Sequence, residues 1–161
     1  MDYQPGDYVV HPIHGVGQIV SIQVMEFVEN KQTLFYQVGF EGMTVWVQVE
    51  DHGGLRALTT KADLYHYRRI LESPPESLGR DFRDRKKKLE ARLQNHSFQI
   101  LCEVVRDLYA LSKEKTLNNY ESRLFRNKRL SLQQEWAFSS GIPVEEMFLL
   151  IDEMLQKSAT R

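Results

Sequence analysis

The hydrophobic pattern of this chain changes its period near residue 60. Before that point, short runs rich in β-branched and aromatic residues alternate with turn residues, and no run is long enough for a helix. Beyond it, apolar residues recur at helical spacing, with neither glycine nor proline between Gly79 and Gly141. The pattern predicts an α+β protein of two modules, with a small β module over residues 1–58 and an all-α module over residues 59–161.

The β module should contain five short strands that form a small curled sheet or barrel. The predicted strands are DYVVH, GQIVSIQVMEF, TLFYQVGF, MTVWVQV and GLRAL. The α module should contain four or five helices, and two of its helix starts carry recognisable caps: Thr60 with Asp63, and Asn118 with Glu121. The helices are predicted over residues 60–73, 78–94, 97–113 and 118–139, and from residue 143 onward.

The formal net charge of −1 conceals two opposite charge regimes. Residues 1–60 contain two basic and seven acidic side chains, whereas the remainder contains 19 basic and 15 acidic ones. Residues 80–92 are strongly basic, with seven Arg and Lys residues against three Asp and Glu residues. Such a stretch can bind nucleic acid phosphates, although a solvated helix face has the same composition. The acidic sheet is better suited to docking on a protein by strand addition.

Composition limits the classes of function that the chain can have. No run of about 18 apolar residues occurs, and the first residues lack the features of a signal peptide, so we expect a cytoplasmic protein. The single cysteine, Cys102, has apolar neighbours and should be a small buried hydrophobe. The chain offers no nucleophile with a plausible base and no nucleotide-binding loop, which argues against an enzyme.

The stretch HPIHGVG raises the question of a metal or phosphate site. His11 and His14 lack a third and fourth ligand nearby, and their rings should point in different directions around a turn. The Gly-Val-Gly sequence lacks a third glycine and precedes an extended run, which argues against a phosphate loop. We therefore expect a structural hairpin in which Pro12 and Gly15 shape the turn, and Gly17 allows a close approach to the backbone where the next strand begins. We expect neither a metal nor a cofactor.

These residues also carry a resemblance to a known family. The stretch GDYVVHPIHGVGQIVSI, followed by MTVWVQV and GLRAL, resembles the N-terminal module of the CarD/CdnL family of bacterial transcription regulators. In the second half, RDFRDRKKKLEARLQ, EVVRDLYAL and YESRLFRNKRLSLQQEWA are similar to the basic helix, the VVRDL helix and the following long helix of that family. The resemblance covers residues 3–140 in the right order, without large insertions.

The resemblance implies a Tudor-like β module that binds the β subunit of bacterial RNA polymerase. It also implies a helical module that contacts promoter DNA at the upstream edge of the melted region and stabilises the open complex. We therefore expect a monomeric protein associated with the nucleoid, with RNA polymerase and promoter DNA as its partners and no contact with membranes.

The resemblance assigns the DNA contacts to the basic helix. The expected phosphate-binding side chains are Arg83, Arg85, Lys86, Lys87 and Lys88. Phe82 aligns with a tryptophan that, in the best-known members, wedges against a minor-groove base step. Phenylalanine keeps an apolar wedge but lacks the indole N–H. The helical spacing of Leu78, Phe82, Leu89 and Leu93 is equally compatible with Phe82 in the core.

The resemblance also assigns a polymerase-binding surface in the β module. Two positions that are arginine in some polymerase-binding members align with Met25 and Trp46, so this surface would be apolar here, with Trp46 as its anchor. Val45 and Val47 flank Trp46 and must face the other side of the strand. Because both faces of this strand are apolar, the pattern leaves open which face is available. Met25, Val45, Trp46 and Val47 are therefore all candidate contacts with the polymerase.

A protein-binding adaptor is the alternative function. In that case the β module would still dock on RNA polymerase, whereas the helices would bind another protein instead of DNA. Transcription-repair coupling factor carries a similar β module fused to a motor, but no motor motif occurs in this chain. Affinity for DNA with a strong dependence on salt would favour the regulator, and its absence at low salt would favour the adaptor.

Overall fold

The computed structural model describes residues 2–160 and confirms the α+β fold class. The chain divides into two compact units after Leu58. Within the described residues, five strands occupy the first unit and five α-helices occupy the second. None of the helices in this part of the chain combines the length and the apolarity that a membrane crossing requires.

The first unit is a single antiparallel sheet. Its strands are β1 (Tyr8–His11), β2 (Gly15–Val28), β3 (Lys31–Phe40), β4 (Met43–Gln48) and β5 (Arg56–Ala57). They are arranged in the order β4-β3-β2-β1-β5, so β4 and β5 lie at the two edges. β2 and β3 extend further than predicted and meet at a two-residue turn, where Asn30 has a left-handed φ of 65°. The buried core of the unit consists of Val9, Ile19, Tyr36, Val38, Val47 and Leu55.

The stretch HPIHGVG contains the turn between β1 and β2, as predicted. Nδ1 of His11 accepts hydrogen bonds from the N–H groups of Ile13 (3.0 Å) and His14 (3.2 Å). The expectation that the two histidine rings diverge is wrong: they stack with centroids 4.7 Å apart, and both pack against Phe40. Burial and the nearby His14 lower the pKa of His11. At Gly17 a Cβ atom would lie 2.6 Å from the Phe40 ring, which explains the need for glycine.

The second unit is all-α. Its helices are α1 (Leu64–Glu72), α2 (Phe82–Leu93), α3 (Phe98–Glu114), α4 (Asn119–Ser140) and α5 (Val144–Ala159). The two predicted caps are present: Thr60 caps a 3₁₀ turn in front of α1, and Asn118 forms a capping box with Glu121 at the start of α4. Apolar side chains from α1, α3, α4 and α5 form the larger core cluster, in which Cys102 is fully buried, as expected.

Helix α2 begins at Phe82, later than the predicted start at Leu78. Gly79 has a φ of 97°, which no helix accommodates, and Asp81 has an extended backbone. The carboxylate of Asp81 accepts a hydrogen bond from the N–H of Arg83 at 2.7 Å, so Asp81 is the N-cap. Leu78 is buried, but it lies in the loop that precedes the helix. Phe82 is thus the first residue of α2.

Candidate DNA-binding and polymerase-binding surfaces

Phe82 is exposed at the N-terminal end of the basic helix α2. Its side chain retains 56% of its accessible surface, whereas Leu89 of the same helix is fully buried. The guanidinium carbon of Arg83 lies 5.8 Å from the centre of the Phe82 ring. The interpretation of Phe82 as a core residue is therefore wrong. A large apolar ring at an exposed helix end is free to contact a base step.

Four of the predicted phosphate-binding side chains are exposed on α2, the helix that begins with Phe82. They are Arg83, Lys86, Lys87 and Lys88. Nζ of Lys86 lies 3.9 Å from the carboxylate of Glu90, and Nζ of Lys88 donates to the carbonyl oxygen of Ser77 at 3.0 Å. Exposed contacts of this kind contribute little to stability, so both ammonium groups stay available to phosphates.

Arg85 does not share this exposure, which contradicts the prediction that it binds phosphate. Its side chain is 2% exposed, and its Nε donates to the carboxylate of Glu121 at 2.6 Å. One terminal nitrogen also donates to the backbone carbonyl of Arg80 at 2.8 Å. A move towards phosphate would leave Glu121 buried and unpaired, which is costly. Arg85 instead joins α2 to the start of α4 and to the loop in front of Phe82.

A cleft of about 660 Å³ opens beside Phe82. Its walls include Arg80, Phe82, Lys86, Lys115, Asn119 and Tyr120. Nζ of Lys86 lies 5.2 Å from the centre of the Tyr120 ring. Burial first, and then the charges of Glu90 and Glu121, raise the pKa of Tyr120, so its hydroxyl keeps its proton near neutral pH.

No pattern in the sequence indicates the cleft. Lys115 and Tyr120 flank the connection between α3 and α4, far along the chain from Phe82. Their approach depends on how α2 and α4 are joined, and the Arg85 contact with Glu121 makes that connection. A short sequence window cannot predict a contact between side chains that lie so far apart in the sequence.

Met25 and Trp46 lie on the same face of the sheet, which we call the outer face. Trp46 of β4 pairs with Gln37 of β3, and Met25 of β2 pairs with Thr33 of β3. Because Thr33 and Gln37 are an even number of residues apart in one strand, both pairs project to the same side. The outer face comprises Ser21, Gln23, Met25, Thr33, Phe35, Gln37, Trp46 and Gln48. Trp46 is 39% exposed, so this face is the available one.

Val45 and Val47 project to the opposite face. Val47 is 5% exposed and belongs to the core of the sheet, and Val45 packs against the same core. Their cross-strand partners, Val38 and Tyr36, are fully buried. These placements contradict the prediction that Val45 and Val47 contact the polymerase. Both side chains fill the interior, so the available face of β4 is the one that carries Trp46, which the sequence pattern left open.

Two aromatic residues at or beside the outer face were not predicted from the sequence. Phe35 lies between Met25 and Trp46 in the register of the sheet, and its ring meets the Phe27 ring edge to face with centroids 5.3 Å apart. Phe27 is 73% exposed. The alternation in TLFYQVGF, with the buried Tyr36 beside Phe35, was the signal that could have identified Phe35 as an outward residue.

Comparison with known proteins matches both units of the chain. Residues 3–58 match the model of the CarD-like/TRCF RID domain, and residues 67–152 match the model of the CarD C-terminal domain. The chain is also 29% identical over 148 residues to the putative transcription factor YdeB of Bacillus subtilis (strain 168), in an alignment that covers 90% of this chain and 97% of that relative. The resemblance seen in the sequence is confirmed, and the chain belongs to the CarD family of bacterial transcription regulators.

Proposed function

We propose that this protein is a non-catalytic transcription regulator. Its β module binds the β subunit of RNA polymerase, and its helical module contacts promoter DNA at the upstream edge of the bubble and stabilises the open complex. The exposure of Phe82 at the start of α2 is the observation that carries the DNA-binding part. Membership of the CarD family and the similarity to a putative transcription factor support the transcriptional role.

The exposed face of α2 combines two chemistries that DNA binding requires. The cationic side chains Lys86, Lys87 and Lys88 attract phosphates whatever the sequence, and they orient the module on the duplex. The Phe82 ring has no charge and acts on bases. Insertion into an intact duplex costs a few kcal/mol of unstacking, so the ring acts where melting has already begun. This difference supports a role at the edge of the promoter bubble.

The outer face and the adjacent edge of the sheet are suited to docking on the polymerase. β4 is an edge strand, and its backbone can therefore pair with an added strand of a partner. Glu41 lies before β4, and Glu50 and Asp51 lie after it, which favours a basic partner surface. Trp46 supplies an aromatic anchor of the kind that dominates interface energies.

The experiment that tests the proposed DNA contacts is a titration of promoter duplex at increasing salt. We expect the double variant Lys86→Gln/Lys87→Gln to weaken binding to any duplex and to lower the salt slope by about 0.9 per lost phosphate contact. The control is Lys61→Gln/Lys157→Gln, which removes the same charge from residues outside α2. Equal effects of the two double variants would contradict a specific role for α2.

The adaptor remains the second candidate because α4 and α5 carry exposed apolar side chains. These side chains are Leu130, Phe138, Phe148 and Leu149. A protein partner could cover such a group. Absence of DNA affinity at low salt, together with polymerase binding, would favour the adaptor over the regulator.

A further inference from the structure

We propose that the cleft beside Phe82 holds one unpaired nucleotide of single-stranded DNA, with the base against Phe82 and the phosphate on Lys115 and Arg80. The inference rests on the proposed function, because it assigns a strand-binding site to the same DNA-binding module. It adds to Phe82 two cationic residues that lie outside the basic helix, since Arg80 precedes α2 and Lys115 follows α3.

The dimensions of the cleft fit a ligand of this size. Its volume of about 660 Å³ falls within the range of small-molecule sites, roughly 300–1,000 Å³. The walls come from the loop before α2, from α2 itself and from the connection between α3 and α4. A concave site can enclose a base that has left its stack, whereas the bases of an intact duplex cannot enter it.

The charge of the cleft selects an anion. Four cationic side chains line it, and no carboxylate residue does so among the described residues. Arg85 is neutralised by Glu121, with which it forms a buried ion pair. Within residues 2–160, the side chains of Arg80 and Lys115 make neither an ion pair nor a hydrogen bond, and both are exposed. They are thus free to bind a phosphate group.

The two aromatic walls have different roles. Tyr120 already faces the ammonium group of Lys86 at 5.2 Å from its ring centre, so one face of this ring is covered. The guanidinium carbon of Arg83 lies 5.8 Å from the centre of the Phe82 ring, but Phe82 remains 56% exposed, so the ring still offers surface to a base. Stacking on an aromatic ring together with a cation for the backbone is the general means by which proteins hold single strands without strict sequence preference. Asn119 and Thr116 line the same cleft and can bond to base edges.

The test measures binding of the full-length protein to a labelled oligothymidylate of about eight nucleotides by fluorescence anisotropy. We expect Lys115→Gln to weaken this binding about tenfold and to lower the salt slope by about 0.7, the value for one contact on a single strand. Binding to an intact duplex should change less than about twofold, because the cleft does not admit stacked bases. The melting temperature verifies that the exposed substitution leaves the fold intact.

The matched control is Lys113→Gln, two positions earlier in α3. Lys113 lies over the ring of Tyr109 at 4.9 Å and does not line the cleft, but its replacement removes the same charge. We expect this variant to weaken binding to the oligonucleotide less than about twofold. A second variant, Phe82→Leu, keeps an apolar side chain but removes the stacking surface, and it should weaken binding about fivefold or more.

Three results would overturn the proposal. The first is equal weakening by Lys115→Gln and Lys113→Gln, and the second is an equal effect of Lys115→Gln on single strand and duplex. The third is competition by thymidine monophosphate as strong as that of the octamer, which would make the cleft a site for free nucleotides. If any of these results is obtained while duplex binding through α2 is intact, the proposed function is not contradicted. Binding of the octamer through Lys115 without any duplex affinity would instead contradict the proposed function.

Discussion

Trp46 and Val47 are neighbours in β4, but their side chains have opposite surroundings. Trp46 lies on the outer face, whereas Val47 lies in the core of the sheet. The alternation of side chains along a strand requires this division, and the buried partner Tyr36 fixes which side is inside. The two residues therefore allow binding and stability to be separated within a single strand.

We expect Trp46→Ala to weaken binding to RNA polymerase by about 2 kcal/mol while leaving the free energy of unfolding nearly unchanged. Val47→Ala should lower the free energy of unfolding by about 2 kcal/mol, because two buried methyl groups are lost. The Val47→Ala molecules that remain folded should still bind RNA polymerase with unchanged affinity. Urea unfolding and polymerase binding, measured on the same samples, distinguish the two effects. A loss of 3–5 kcal/mol of stability in Trp46→Ala, as for a core aromatic, would remove Trp46 from the binding surface.

One buried ion pair joins the starts of α2 and α4. Glu121 completes the capping box of α4 with Asn118 and also accepts a hydrogen bond from Nε of Arg85. Arg85 in turn donates to the carbonyl oxygen of Arg80 in the loop before α2. This arrangement holds the exposed Phe82 and the side of the cleft that contains Arg80 in fixed relation to α4.

We expect Arg85→Gln to lower the free energy of unfolding by about 3–5 kcal/mol, because Glu121 is left buried and uncompensated. Its duplex salt slope should equal that of the unaltered protein at a temperature where both are folded, since Arg85 contacts no phosphate. Lys87→Gln is the matched variant and should show the reverse, with unchanged stability and a slope lower by about 0.9. A lower salt slope of duplex binding in Arg85→Gln would show that Arg85 does contact DNA phosphate.

Glu121→Gln tests the ion pair without removing the cap. Glutamine at this position still reaches back to the N–H of Asn118, as glutamate does at 3.2 Å, so the capping box is retained. We therefore expect a loss of stability, measured by urea unfolding, that reports the contact with Arg85, both its charge and the hydrogen bond from Arg85 Nε, which the amide nitrogen of glutamine cannot accept. Stability equal to that of the unaltered protein would show that the contact between Arg85 and Glu121 contributes nothing to the free energy of unfolding.

Local patterns predicted the order of strands and helices, and they failed where distant residues decide the outcome. Thr60 and Asn118 are caps that short sequence windows reveal. The sequence does contain a signal for the late start of α2, because Asp81 can cap a helix and Gly79 lies two residues before it. The many charged residues of the helix obscured this signal. No window of sequence could separate Arg85 from its exposed neighbours, because its partner Glu121 lies in another helix.

The charge distribution and the family matches divide the chain near the same residue. The acidic first unit matches the CarD-like/TRCF RID domain, and the basic second unit matches the CarD C-terminal domain. Each unit has its own hydrophobic core. This division supports separate partners for the two units.

We expect residues 1–58 to bind the β subunit of RNA polymerase without the helices, because the outer face and the core beneath it lie entirely within that unit. Pull-down of purified polymerase by this fragment, with Trp46→Ala in the same fragment as control, provides the measurement. A fragment that folds and does not bind, while residues 59–161 bind, would invert the assignment of the two units.

The lifetime of the promoter open complex formed with Phe82 variants measures whether this ring acts at the edge of the bubble. Phe82→Ala should shorten the half-life by about fivefold or more, consistent with a stacking contribution of about 1–3 kcal/mol, while the duplex salt slope and the melting temperature stay unchanged. Phe82→Trp should restore or exceed the original half-life, because the exposed position has room for the larger ring. An unaltered half-life in Phe82→Ala, with the fold intact, would contradict the proposed role of Phe82 at the edge of the bubble.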